Sequence, residues 1–301
     1  MWRTGVRRTR IGRAALAAAA ALAVAGPLAA APPGTLPYGA YDPQGDYKND
    51  RDVVIEHIFL PWEDVYLPSL VDADSYALQR KRALLVTLEP WTWTRSERNT
   101  PKSLREGIRS GAYDKNISAV CGVLAGLKSP VTLRWAHEME NSDGQFIWSG
   151  WPPAEYVSAF RHMTTLCRQI APNIRVMWSP AGEEGLEAYY PGAAFVDVVG
   201  LSVFGLQAQD QAEFGKNRTF AEVLAPRYAR AVKFGKPVVI AEVGVSGDAA
   251  YVQSWNDSFR QVGPQFPDLV GVVYFDQKEV YPWYGSYGTP DWRLEHRVTG
   301  R

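Results

Sequence analysis

VDVVGLSVFG at residues 196–205 and PVVIAEVG at residues 237–244 are short, nearly continuous apolar runs. A strand with one wet face alternates apolar and polar residues, whereas runs like these are buried on both faces, as in parallel sheets covered by helices. Working outward, the same kind of run recurs as GAYDP at 39–43, VVIEHIFLPW at 53–62, ALLVTLEPW at 83–91, VTLRWAHE at 131–138, IRVMWSP at 174–180 and LVGVVYFD at 269–276. Most of the intervals hold amphipathic segments of helical length, such as AEYVSAFRHMTTLCRQIA and TFAEVLAPRYARAVKFG. Eight strands alternating with helices in 301 residues predict an α/β protein built as one (β/α)8 TIM barrel, a single domain over 39–301. An open doubly wound sheet is the competing arrangement, but neither GxGxxG nor GxxxxGK follows any run.

The N-terminus has a different composition. MWRTGVRRTRIGR carries five arginines and no acid, and an alanine-rich run from Ala14 to Ala25 follows. This is the pattern of a signal peptide over residues 1–25, with cleavage expected after Ala25 or by residue 31, and a Pro/Gly linker over 26–38. The expectation is a periplasmic or secreted protein with no stable membrane insertion once the leader is removed, because the apolar run is shorter than a spanning helix needs. Without the leader, 27 basic residues face 32 acidic ones, a net of about −5, which excludes a basic nucleic-acid footprint. Cys121 and Cys167 both fall in expected helices. In an oxidising compartment a disulfide between neighbouring helices and two buried free thiols are both compatible with that placement. Four histidines spread along the chain offer no material for a structural zinc cluster, and no metal or cofactor is expected.

In a (β/α)8 barrel the chemistry sits at the C-terminal ends of the strands. The ionisable residues there are Asp42, Glu56, His57, Glu89, Glu138, Glu242 and Asp276. In VTLRWAHE, strict alternation groups Thr132, Arg134, Ala136 and Glu138 on the inner face and Leu133, Trp135 and His137 on the outer, although a bulge would shift this by one. Glu242 stands inside an apolar strand, where a charge costs several kcal/mol unless a partner or a function offsets it. A structural reading pairs it with Arg134 to lock the strands. A functional reading needs a second carboxylate at the same mouth, which Glu138 supplies. Two carboxylates facing one cleft suit glycosidic cleavage, one as acid and the other as nucleophile or base. HEMEN does not complete HExxH, and GLSVF does not complete GxSxG, so neither a zinc peptidase nor a serine hydrolase has its motif.

LVTLEPW, RWAHEMEN followed by Trp148 and Gly150, VMWSP, YYPGAAFVDVVGLSVFG and IAEVG together resemble glycoside hydrolase family 26. That family contains β-mannanases, mixed-linkage β-glucanases and β-1,3-xylanases on retaining (β/α)8 barrels, and the resemblance runs from Gly39 to Trp283. It implies Glu138 as acid/base, Glu242 as nucleophile, His137 as a substrate-side neighbour of the acid and Trp148 as a sugar platform. The chain departs from the family pattern twice. A longer, more acidic loop, Glu140 to Gly144, follows the HE pair, and Phe204 stands where a tyrosine is often found after strand six.

Aromatic residues also end several strands: Trp62, Trp91, Trp93, Trp148, Trp178 and Trp283. Aromatic faces at a barrel mouth stack on the CH faces of pyranoses. With the glutamates, the expected substrate-binding residues are therefore His137, Trp148, Trp91, Glu89, Trp178 and Trp283, while Trp135 and Trp255 are expected in the core. The function expected is hydrolysis of a β-linked polysaccharide of mannan or glucan type, such as an exopolysaccharide. A non-catalytic glycan-binding barrel of a polysaccharide biosynthesis or export system is the rival; it would keep the tryptophans and need neither glutamate.

Overall fold

A computed structural model describes residues 36–63, 65–91, 100–141, 145–259, 261–283 and 285–299. The expected leader, most of the linker, Trp93 and residues 142–144 lie outside the described residues. Eight parallel strands close into a barrel in chain order: β1 (Tyr38–Tyr41), β2 (Val53–Pro61), β3 (Ala83–Glu89), β4 (Val131–Trp135), β5 (Arg175–Trp178), β6 (Val198–Leu206), β7 (Val238–Ser246) and β8 (Leu269–Phe275), with β8 pairing back to β1. All eight expected strands form.

Seven helices cover the barrel among the described residues: α1 (Pro68–Arg80), α2 (Pro101–Arg109), α3 (Asp114–Gly126), α4 (Pro153–Ile170), α5 (Gln207–Phe214), α6 (Phe220–Ala231) and α7 (Ala249–Phe259). Their spacing is less regular than eight equal units. The β1–β2 connection folds as turns instead, because the Asp42 carboxylate accepts the backbone N–H groups of Gly45, Asp46 and Tyr47, each at 2.8 Å. A short 3-10 turn over Leu186–Tyr189 bridges β5 to β6, and an irregular segment follows β8. Helix α6 begins with a reciprocal cap in which the Thr219 hydroxyl accepts from Glu222 N–H while the Glu222 carboxylate accepts from Thr219 N–H.

Cys121 on α3 and Cys167 on α4 form a disulfide with 5.4 Å between their Cα atoms, which resolves the two alternatives left by the sequence. Most strand residues sort by parity. Outward residues of the strands pack with the helices in one large core that includes Trp135 and Trp255. Inside the barrel, Ile55, Leu85, Met177, Val239, Ala241 and Val273 make a separate apolar plug. The polar residues of the site sit above that plug, toward the C-terminal mouth.

Candidate active site

The chain leaves β4 through two non-glycine residues in left-handed backbone, Ala136 (φ 46°) and Glu138 (φ 54°). Such conformations cost on the order of 1 kcal/mol each and persist where the surroundings hold them. Here the Tyr156 hydroxyl of α4 donates to the Ala136 carbonyl at 3.1 Å, and Glu138 N–H donates to the Ser179 carbonyl at 2.8 Å. These turns correct the expected alternation: His137 does not join the outer face, because its Nε2 lies 4.0 Å from a Glu242 oxygen.

Glu242 depends on a similar irregularity. Across β6 and β7, Leu201 pairs with Ile240 and Ser202 pairs with Glu242, which leaves Ala241 as an extra residue. With Val239 and Ala241 both in the interior plug, strict alternation would send Glu242 outward into the helix layer. The bulge turns it inward.

Inside, Arg134 is fully buried. Its Nη1 donates to Glu242 Oε1 at 2.5 Å and more weakly to Thr87 Oγ1 at 3.4 Å, while Nε donates to Ser179 Oγ at 2.9 Å. Thr87 Oγ1 in turn bonds His57 Nε2 at 2.7 Å. A side chain at Gly200 would collide with Ser179, so glycine there keeps this support in place. The strand-locking pair considered from sequence thus exists, yet it engages only one oxygen of Glu242. The Ser202 hydroxyl, from the residue opposite Glu242, donates to Glu138 Oε1.

One buried cation serves several carboxyl groups, so they cannot all ionise readily. Burial pushes Glu138 up and the Glu242 charge adds to this, against Arg134 and Ser202, placing it at about 8. Glu89 rises to about 7 by burial and then by the Glu242 charge. Burial also raises Glu242, but the Arg134 guanidinium opposes that directly. The Arg134 contact therefore favours the ionised form of Glu242, while burial and the neighbouring charge favour the protonated form of Glu138. Burial, with Arg134 second, keeps His57 and His137 neutral by lowering both well below the usual range. The arrangement offers a proton donor beside an anion in a largely desolvated cleft.

The other expected residues separate. Trp91 is half-buried, with its ring edge on Trp148 at 4.8 Å, and its side chain steadies the Glu89 carboxylate. Trp283 is half-buried beside Phe204 and Trp292, at 5.9 and 5.2 Å. Two tryptophan expectations need correction. Trp178 follows the inward Met177, so its parity sends it outward, where it is fully buried against Tyr190 and Phe234. Trp148 is also fully buried: it stacks on Phe146 at 4.7 Å and its indole N–H donates to the His137 carbonyl at 2.7 Å. Neither offers a face to a sugar; Trp148 instead fixes the backbone of His137. Among the remaining strand-end acids, Glu56 pairs with Arg82 at 2.7 Å and Asp276 accepts Leu294 N–H, both away from the glutamate pair.

At the first departure from the family pattern, Glu140 Oε1 accepts the N–H groups of Gly182 and Glu183 and ties the loop after β4 to that after β5. At the second, Phe204 packs among Phe275, Trp283 and Trp292. Sequence reasoning missed Ser202, although a lone polar residue in an apolar strand is the signal that identified Glu242. It also missed Tyr41, whose hydroxyl is raised by burial and then by Glu89 and Glu242. Glu279 was missed as well: it accepts from the Trp292 indole at 2.8 Å and rises to about 6 through burial, with the Glu242 charge adding to it. It lies in the irregular segment after β8, where no periodicity marks a position.

The sequence profile of glycosyl hydrolase family 26 matches residues 99–267, a segment that contains both Glu138 and Glu242. The chain belongs to glycosyl hydrolase family 26. Over 109 residues, 34% of its length, this family 26 chain is 31% identical to Beta-1,3-xylanase TXYA of a Vibrio species and 30% identical to a beta-1,3-xylanase of an Alcaligenes species. The matched segments span only 23% and 22% of those two proteins. Among solved structures, a modular endo-β-1,4-mannanase from Cellulomonas fimi superposes with a TM-score of 0.63 at 18% identity, covering 81% of this chain and 65% of that one. A family 26 β-mannanase from Bacteroides ovatus gives a TM-score of 0.60 at 16% identity, covering 81% of each chain. At these identities the likeness is one of fold.

Proposed function

We propose that the protein hydrolyses internal β-linkages of a polysaccharide of mannan or glucan type with retention, using Glu138 as acid/base and Glu242 as nucleophile. The observation that carries this reading is the division of charge between two glutamates at the same barrel mouth, with Arg134 against one and burial keeping a proton on the other. In the first step a Glu242 oxygen bonds the anomeric carbon as the glycosidic C–O bond breaks, and the Glu138 proton passes to the departing oxygen. In the second, water bonds the same carbon, Glu138 takes its proton, and the ester bond to Glu242 breaks. Glu89, Trp91, His137 and Trp283 are the residues assigned to sugar contact in this reading. The Cys121–Cys167 disulfide supports export to the periplasm or beyond, since such bonds persist in oxidising compartments.

The test is hydrolysis of β-mannan, mixed-linkage β-glucan, β-1,3-xylan and bacterial exopolysaccharides side by side by the wild type, Glu138→Gln and Glu242→Gln. Cleavage of mannan or glucan that both substitutions abolish, with β-anomeric product appearing first by NMR, is expected. Inverted product removes the nucleophile assignment; absence of cleavage anywhere in the panel removes the hydrolase reading.

A further inference from the structure

Each of the two glutamates has one oxygen engaged. Oε1 of Glu242 accepts from Arg134, and Oε1 of Glu138 accepts from the Ser202 hydroxyl. Ser202 supplies a side-chain donor to Glu138. It is buried on β6, and its register partner on β7 is Glu242 itself. The hydroxyl therefore reaches Glu138 from the side where the nucleophile stands. Two further bonds limit what else the carboxyl can do: Glu138 N–H is held by the Ser179 carbonyl, and Ser179 Oγ is occupied by Arg134 Nε. With the backbone held at Ser179, just past the end of β5, and Oε1 held from β6, the carboxyl plane has little freedom to rotate.

We propose that Ser202 is the positioning residue of the acid: by occupying Oε1 of Glu138 it makes Oε2 the oxygen that delivers the proton to the leaving group and later takes one from water. This rests on the acid/base role of Glu138 proposed above. In the first step the proton moves from Oε2 to the glycosidic oxygen while that C–O bond breaks and its electron pair leaves with the oxygen. In the second a water proton returns to Oε2. Ser202 keeps its own proton throughout, so its contribution is orientation and stabilisation of the carboxylate. A donor to the ionised form lowers a carboxyl pKa, so removing the hydroxyl must raise that of Glu138 and hold it protonated to higher pH.

Ser202→Ala deletes the hydroxyl with little change of volume. The alkaline limb of kcat/KM should move up by about one pH unit, the size of shift that loss of one hydrogen bond to a charged group produces. For the polysaccharide, kcat/KM at neutral pH should fall roughly ten-fold, while kcat/KM for an aryl glycoside whose leaving group departs without protonation, which reports the first step alone, should stay within about two-fold of wild type. Ser202→Thr retains the hydroxyl and should restore the limb. Should the alanine variant not fold, Ser202→Cys, a much weaker donor, gives the same readout. An alkaline limb that stays in place, or an equal loss on both substrates, overturns the proposal and leaves Ser202 a packing residue. Glu138→Ala is the control for the underlying reading: if it cleaves both substrates like the wild type, the acid/base assignment fails whatever Ser202 does.

Discussion

Replacing Glu242 by glutamine tests the electrostatics on which both proposed roles depend. Burial is the first cause of the raised Glu138 pKa, and the Glu242 charge is the second. Ser202 touches Glu138 and lies directly across the sheet from Glu242. The retaining chemistry proposed above needs the two carboxyl groups about 5–5.5 Å apart. At that separation and an effective dielectric constant of about 20, unit charges interact by roughly 3 kcal/mol, or about two pKa units. Glu242→Gln keeps the shape and removes the charge, so Glu138 should titrate about two units lower, near roughly 6. Arg134, freed from its carboxylate, pushes the same way. Esterification of Glu242 would remove the same charge, so the fall describes how one residue can act as acid in the first step and base in the second. The assay is carboxyl-carbon NMR titration of labelled glutamate in wild type and Glu242→Gln, with Glu138→Gln assigning the resonance. A midpoint that moves by less than about half a unit refutes the coupling, because a charge this close cannot be silent in a desolvated cleft.

Glu89 and Glu138 keep their protons in the folded protein to about 7 and about 8, well above the unfolded value of about 4.3. Raised folded pKa values contribute stability that is fully present below the unfolded pKa and lost as pH rises through the folded ones. The urea midpoint should therefore decline from about pH 5 to about pH 8, and less steeply in Glu89→Gln; equal slopes for the two proteins would count against a raised Glu89. The disulfide closes a loop of sequence separation 46, so Cys121→Ser with Cys167→Ser should cost about 4 kcal/mol on the chain-entropy relation. Calorimetry of the double variant checks this, and an unchanged melting temperature would show that the bond adds nothing. Trp178→Phe should lower stability by about 1–3 kcal/mol through an imperfectly filled core site and leave KM for the preferred glycan unchanged. A raised KM in the folded variant would return Trp178 to the sugar site.

The barrel was legible in the chain because burial on both faces leaves a one-dimensional signature: short apolar runs such as VDVVGLSVFG, broken by helical segments, need no knowledge of partners. The same logic exposed Glu242, a charge standing alone among valines, and Glu138 at the end of its own run. The direction in which those side chains point was not legible. Strict period two turns Glu242 away from the barrel axis, and only the extra residue at Ala241, set by pairing with β6, brings it back. His137 reaches the site because Ala136 and Glu138 adopt left-handed backbone held by Tyr156 and Ser179, residues far off in sequence. Trp148 and Trp178 fooled composition for a related reason, since an aromatic at a strand end can face the mouth or the helix layer, and parity and loop packing choose between them. Sequence alone thus determined which residues were costly to explain as structure. The tertiary structure decided which of them meet, because a bulge or a single left-handed residue reverses a side chain and arises from contacts between strands that the order of residues does not display.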